Sequence, residues 1–232
     1  MPAKNSIKTY VENSYYHIYN RGVEKRTIFE DEQDYGVFLS YLKTYLLPKD
    51  ENNLRKRLAE ADITANERDR ILKLLRLNNF SKEIILLAYC LMPNHFHLLL
   101  KQTQADAIDR FMNSLSTRYT MYFNHKNRRV GPLHQDVYKA VLVKTDEQLL
   151  YLTRYIHRNP APKPSYKRKS IREMLFRQPS SYPEYLRQRK TDWVHPEEIL
   201  EFFSKTNEKL SYSSFVEATD DLGPIADVAI DP

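Results

Sequence analysis

Two apolar runs, residues 84–92 and 95–101, stand almost back to back, parted only by Pro93-Asn94. Runs of this length bounded by a turn dipeptide predict a buried hairpin. Side chains alternate faces along a strand, so His95, His97 and Leu99 share one face and Phe96, Leu98 and Leu100 the other. Upstream, residues 14–21 alternate as a further strand, with Tyr15, His17 and Tyr19 on one side and Tyr16 and Ile18 on the other. Residues 31–47 carry Tyr35, Phe38, Leu42 and Tyr45 at near-helical spacing, and Pro48 stops that helix.

Residues 49–83 change character: charge-dense with scattered Leu and Ile, they predict a helical insert with one amphipathic helix at 66–77. From Asp106, the stripe Ile108, Phe111, Met112, Leu115, Tyr119 and Tyr122 follows helical spacing. Residues 137–143 predict a strand. Thr145 with Gln148 then forms a capping box that opens a helix running to about Asn159, ended by Pro160. On that helix Leu149, Leu152 and Ile156 form the inward stripe. Tyr151, Tyr155 and Asn159, four apart, stand one above the next on the neighbouring face. Beyond it, 170–177 predicts a short helix, 180–183 a turn, and 195–203 a helix with Ile199, Phe202 and Phe203 inward; 220–232 shows little pattern.

Insert aside, the order β-α-β-β-α-β spells a split βαβ, giving an α+β fold with a ferredoxin-like antiparallel sheet, an added C-terminal helix and a C-terminal extension. The division expected is 1–160, with the insert at about 49–83, and 161–232 as extension. In this topology the first strand lies beside the one carrying His95 and His97, which brings His17 towards them.

Composition sharpens this picture. With 41% hydrophobic residues and 4 Gly in 232, the chain has a sizeable core and is not a turn-rich all-β protein. Cys90 is the one cysteine, so no disulfide forms within the chain and a reducing cytoplasm fits. No apolar run is long enough to span a bilayer, so no membrane partner is expected. The net charge of +6 hides a division. Residues 154–190 hold eleven Lys and Arg against two Glu (+9), whereas 191–232 hold ten acids against two Lys (−8). The basic block is as consistent with a phosphate-binding surface as with a solvated face. Lys126, Arg128 and Arg129 follow the 106 helix in a polar loop suited to tracking a nucleic-acid backbone. Two imidazoles two residues apart on one strand, about 7 Å along it, can converge on a divalent metal. On its own, a His-x-His is more often a pair of ordinary half-buried histidines.

Taken together, these segments resemble a known family. Met92-Pro93-Asn94-His95-Phe96-His97 is similar to the His-hydrophobic-His motif of the single-tyrosine (HUH) transposases, and Tyr155-Ile156-His157-Arg158-Asn159-Pro160 to their nucleophile helix. Tyr16-His17-Ile18-Tyr19-Asn20-Arg21-Gly22 resembles their opening strand, as does Gly131-Pro132-Leu133 with the strand after it. The resemblance spans roughly 15–160 without the insert; the basic C-terminal extension is closest to the REP-associated tyrosine transposases. It implies strand transfer on single-stranded DNA with hairpin or palindromic ends. Tyr155 would be the nucleophile of a 5′-phosphotyrosine link, and His95, His97 and Asn159 would hold Mg²⁺ or Mn²⁺. Tyr151 is a fallback nucleophile without the matching Asn. DNA contacts are expected from Arg21, Lys126, Arg128 and Arg129, and from Arg154, Arg158, Lys163, Lys167 and Arg168 around the nucleophile helix. A monomer is expected over a homodimer. Two other readings stay open: a catalytically silent nucleic-acid-binding regulator with the same fold, and a metal hydrolase that uses no covalent tyrosine.

Overall fold

The structure, a computed structural model, describes residues 10–161 and 168–218. Strand β1 (Ser14–Arg21) leads into helix α1 (Glu32–Leu46), then α2 (Glu51–Leu58) and α3 (Ala65–Arg76). The hairpin β2 (Ile84–Met92) and β3 (His95–Gln102) follows, then α4 (Ala107–Lys126), β4 (Lys139–Val143) and α5 (Asp146–Arg158). Four short helices close the described chain: α6 (Arg168–Leu175), α7 (Tyr182–Tyr185), α8 (Glu197–Leu200) and α9 (Tyr212–Glu217). The sheet order is β2-β3-β1-β4, antiparallel throughout, which is the order a split βαβ requires.

Local chemistry sets the helix starts. Asp31, Thr64 and Thr145 each accept from the backbone N–H three residues on, satisfying an otherwise orphaned donor. Gln148 Oε1 reaches back to the Lys144 N–H at 2.9 Å rather than to Thr145 itself.

The alternation read from the sequence sorts side chains onto two cores. Tyr16, Ile18, Phe96, Leu98 and Leu100 pack against α1 and α4. Leu99, Cys90 and Ala88 on the opposite face pack against Leu149, Leu152 and Ile156 of α5 and against the C-terminal helices.

Three expectations need correction. Strand β4 begins at Lys139, not 137, because the chain before it is used elsewhere: His134 bridges Gly22, the Asp136 carbonyl accepts from Asn20 Nδ2, and Val137 is exposed. The 180–183 turn is the first turn of α7, where Pro183 needs no backbone donor. The 195–203 helix is only α8, and Phe202 points outward at 52% exposure, while Ile199 is buried and Phe203 packs on Tyr212.

The C-terminal segment seals a sheet edge. Along β2, the Leu91 N–H donates to the Pro179 carbonyl (2.9 Å), Ser181 N–H to the Tyr89 carbonyl (3.0 Å) and His195 N–H to the Leu86 carbonyl (2.9 Å). Backbone groups that would otherwise offer a pairing edge are thereby satisfied. His157 ties this segment to α5: its Nδ1 lies 2.6 Å from Tyr212 Oη and its Nε2 2.7 Å from Ser181 Oγ.

Burial lowers the His157 pKa to about 3 and that of His134 to about 4. Both are neutral in the fold, whereas the unfolded chain protonates them near pH 6.5, so stability falls as pH drops below that value. The loss continues to about pH 3 for His157 and about pH 4 for His134. By pH 5 it amounts to about 2 kcal/mol for each residue. Urea midpoints at pH 7 and pH 5 measure the loss, and His134→Asn is expected to reduce it by about 2 kcal/mol.

Candidate active site

The β1–β3 register places Arg21 opposite His95, Tyr19 opposite His97 and His17 opposite Leu99. All six side chains lie on the sheet face that α5 covers, because the inward stripe of α5 packs there. Helix α5 ends with Asn159 as its C-cap, directly over the two histidines. His95 Nε2 lies 3.0 Å from Asn159 Oδ1, and His97 Nε2 lies 3.3 Å from Asn159 Nδ2. The Tyr155 ring, one turn earlier, stands edge-on to His97 (centroids 5.4 Å apart) and to His17 (6.0 Å). Tyr155 is 6% exposed.

The second nitrogen of each imidazole is also engaged. His97 Nδ1 is 2.9 Å from His17 Nε2, and His95 Nδ1 is 2.7 Å from Asn94 Oδ1. Asn94 Oδ1 can only accept, so His95 donates from Nδ1 and turns a lone pair at Nε2 towards Asn159. The amide nitrogen of Asn159 donates to His97 Nε2, which leaves His97 Nδ1–H for His17. Both Nε2 atoms therefore turn lone pairs towards the Asn159 side chain, His95 towards its oxygen and His97 towards its amide nitrogen. With His95 neutral and donating to Asn94, its Nε2 and the Asn159 Oδ1, 3.0 Å apart, both offer lone pairs that a cation between them would satisfy. Two ligands at right angles, each about 2.1 Å from an ion, stand about 3.0 Å apart, so this donor set fits a small divalent cation. Burial lowers the His97 pKa well below its ordinary value, with His17 and His95 adding to the effect, and so keeps the ring in the neutral, ligating form. Among the described residues, no group of three or more His, Cys, Asp and Glu could hold a metal ion. A site here rests on two imidazoles and an amide oxygen.

Sequence reading had no signal for Asn94 beyond its place in the turn, yet it orients His95. Gly22 is a second omission. Its N–H donates to the Asn94 carbonyl at 2.8 Å, and a Cβ there would meet the Arg26 carbonyl oxygen at 2.2 Å. The turn carrying the histidines thus leans on a backbone approach that only glycine permits.

The basic residues expected to meet DNA divide sharply. Arg21 donates to Gln135 beside the site, and Arg128 is exposed at φ 48°. Arg129 donates to Asn124 and to the Pro132 carbonyl. Lys126 is held by Asp34 (2.6 Å) and Asp31 (2.7 Å), so its charge is balanced. Arg154 is 4% exposed, lies over the Phe215 ring and donates to the Ala218 carbonyl, as does Arg158. The structure thus turns Arg154 and Arg158 into the seam between α5 and the C-terminal segment rather than onto open surface. Arg168 starts α6, while Lys163 and Lys167 lie outside the described residues. Tyr151 faces away from the histidines, against Phe215.

Residues 53–159 match the family model described as Transposase IS200 like. Among solved structures, the chain is similar to one described as the structure of the REP associates tyrosine transposase bound to a REP hairpin. The identity is 12% and the TM-score 0.43, over 90% of this chain and 97% of that one. Among curated proteins, none matches. No described helix is long and apolar enough to cross a membrane.

The His17–His97 contact fixes which nitrogen of His97 carries the proton, and outer contacts of this kind are worth about 10- to 100-fold in metal affinity. His17→Phe, which fills the space without the hydrogen bond, is expected to weaken Mn²⁺ binding by about that factor in a calorimetric titration while leaving the fold's circular dichroism unchanged. Gly22→Ala is expected to destabilise the protein by about 1–3 kcal/mol, read from its thermal midpoint.

Proposed function

We propose that this protein, whose residues 53–159 match the IS200-like transposase family model, cuts and rejoins single-stranded DNA at hairpin-bearing ends through a covalent tyrosine intermediate. The observation that carries the reading is the meeting of His95 Nε2, His97 Nε2 and the Asn159 amide within 3.0–3.3 Å, with Tyr155 packed on His97.

Tyr155 Oη attacks the scissile phosphorus in line with the departing 3′ oxygen. The phenol proton leaves, the 3′ oxygen takes up a proton to become a free 3′-OH, and the 5′ side stays linked to Tyr155. Attack by a 3′-OH of another strand reverses the step and restores the tyrosine. One phosphodiester is exchanged for another, so no nucleotide triphosphate is consumed. A phenol near pKa 10 is a weak nucleophile at neutral pH. His95, His97 and Asn159 would hold Mg²⁺ or Mn²⁺, which would supply positive charge to favour phenolate and polarise the phosphate. His17 and Asn94 position the two histidines, and the α5 cap positions Asn159. The protein acts as a monomer in this reading, since Tyr155 sits over the histidines of its own chain.

A second reading has one observation in its favour. A set of two imidazoles and one neutral amide is weaker than one with a carboxylate, which suits a DNA-binding regulator that has little turnover. Hairpin oligonucleotides drawn from palindromes flanking the gene, labelled at either end, separate the two. With Mn²⁺ or Mg²⁺, wild type is expected to give a denaturation-resistant adduct on the 5′ side of the break, absent in Tyr155→Phe and with chelator. Cleavage that survives Tyr155→Phe would favour a metal-activated water. Binding without adduct or cleavage would favour the regulator.

A further inference from the structure

The helices of the insert lie away from the histidines, yet their placement is tightly specified. Lys49 Nζ donates to the Leu75 and Leu77 carbonyls at 3.0 and 2.9 Å, capping the C-terminal end of α3. Asn79 Nδ2 donates to the Leu47 carbonyl (2.6 Å), and Asn78 Nδ2 reaches Ser114 Oγ of α4 (3.1 Å). These contacts hold α3 beside α4 and leave between them an open groove of about 800 Å³. Lys73, Arg76, Arg110 and Arg118 line it with Asn113 and Thr117, and no Asp or Glu does.

That bias is not what the composition of the insert would produce. Its acids Glu60, Asp62 and Glu67 are gathered round Arg57, out of the groove. Arg110 is paired with Asp106 and Glu83. Among the described residues no carboxylate pairs with Lys73, Arg76 or Arg118. The Arg118 guanidinium carbon lies over the Tyr41 ring, 3.8 Å from its centroid, and its Nη1 is buried without a hydrogen-bond partner. Stacking holds this cation in place at little further entropic cost on binding. Lys73 and Arg76 stand three apart on one exposed face of α3. The groove is lined by four cations and neutral donors, and no acid lines it, although Arg110 at its edge is balanced by Asp106 and Glu83.

We propose that this groove binds the phosphodiester backbone of the DNA substrate at a site separate from the active centre. It lies on the α1–α4 side of the sheet, whereas α5 and the histidines occupy the other side. The groove therefore anchors the strand and takes no part in its cleavage. This assignment rests on DNA being the substrate, as proposed above.

Binding in the presence of chelator tests it without requiring cleavage. Fluorescence anisotropy compares wild type with Lys73→Glu/Arg76→Glu on a hairpin oligonucleotide with a single-stranded flank, across a salt series. A control pair, Lys56→Glu/Arg68→Glu, makes the same charge change on the insert outside the groove. Each lost phosphate contact flattens the salt slope by about 0.7–0.9. The groove pair is expected to flatten it by about 1.5 and to weaken binding about tenfold or more near 0.1 M salt, with the control close to wild type. Arg118→Gln, which keeps a polar planar group, is expected to flatten the slope by about a further 0.7–0.9. Wild type that binds with both pairs behaving alike overturns the groove alone. Wild type that binds no DNA overturns the groove and the DNA reading together.

Discussion

The docking of α5 across the sheet is the contact on which the rest of the site depends. Leu149, Leu152 and Ile156 seat the helix on Leu99 and Cys90, and so place Asn159 over His95 and His97 and Tyr155 against His97. None of the four side chains is adjacent to its partners along the chain, except for the two histidines on their strand. Burying each of these three apolar side chains of α5 is worth about 1.5–3 kcal/mol, and together they fix a helix end to within hydrogen-bond distance of a strand. A polar trio of this kind cannot hold itself together, because each of its hydrogen bonds replaces one to water at a net gain of only about 1 kcal/mol.

The C-terminal segment strengthens that docking from the outside. His157 points from α5 into Tyr212 and Ser181, and Ser180-Ser181 pairs along β2. Arg154 and Arg158, on the same turns as the tyrosine, are drawn to the Ala218 carbonyl. Charge density along the sequence is therefore a poor guide to charge exposed at the surface. Much of the basic character near α5 serves to join the segment to the helix. Lys73, Arg76 and Arg118, cations without a carboxylate partner among the described residues, line the groove beside the insert, where a composition of mixed charge gave no hint of it. Acids and bases alternate along 51–76, and only the helical turn separates them onto different faces.

Two features of the site trace to backbone rather than side chains. Gly22 lets β1 leave the sheet while its N–H meets the Asn94 carbonyl, and the Pro93 carbonyl accepts from Ile28 and Phe29. The turn between β2 and β3 is thereby fixed on both sides, and the direction of His95 with it.

What the sequence determined by itself is periodic or local. The alternation of β1 and β3, the apolar length of β2, the stripes of α1, α4 and α5, and the caps at Asp31 and Thr145 need only neighbours within a turn or a strand, and from them the split βαβ order follows. The motif pairs His95–His97 and Tyr155–Asn159 were legible for the same reason: each lies within one element. Tertiary structure alone decided how those pairs face each other, that His17 holds His97, that Asn94 holds His95, and that Arg154, Arg158 and Lys126 are spent on internal partners. It also decided the short pieces after α5, where Phe202 turned outward although its spacing placed it inside. Helices of four to six residues are set by what they pack against and not by their own propensity. Contacts between residues sixty or more positions apart leave no periodic trace in a single sequence, so only the folded chain shows them.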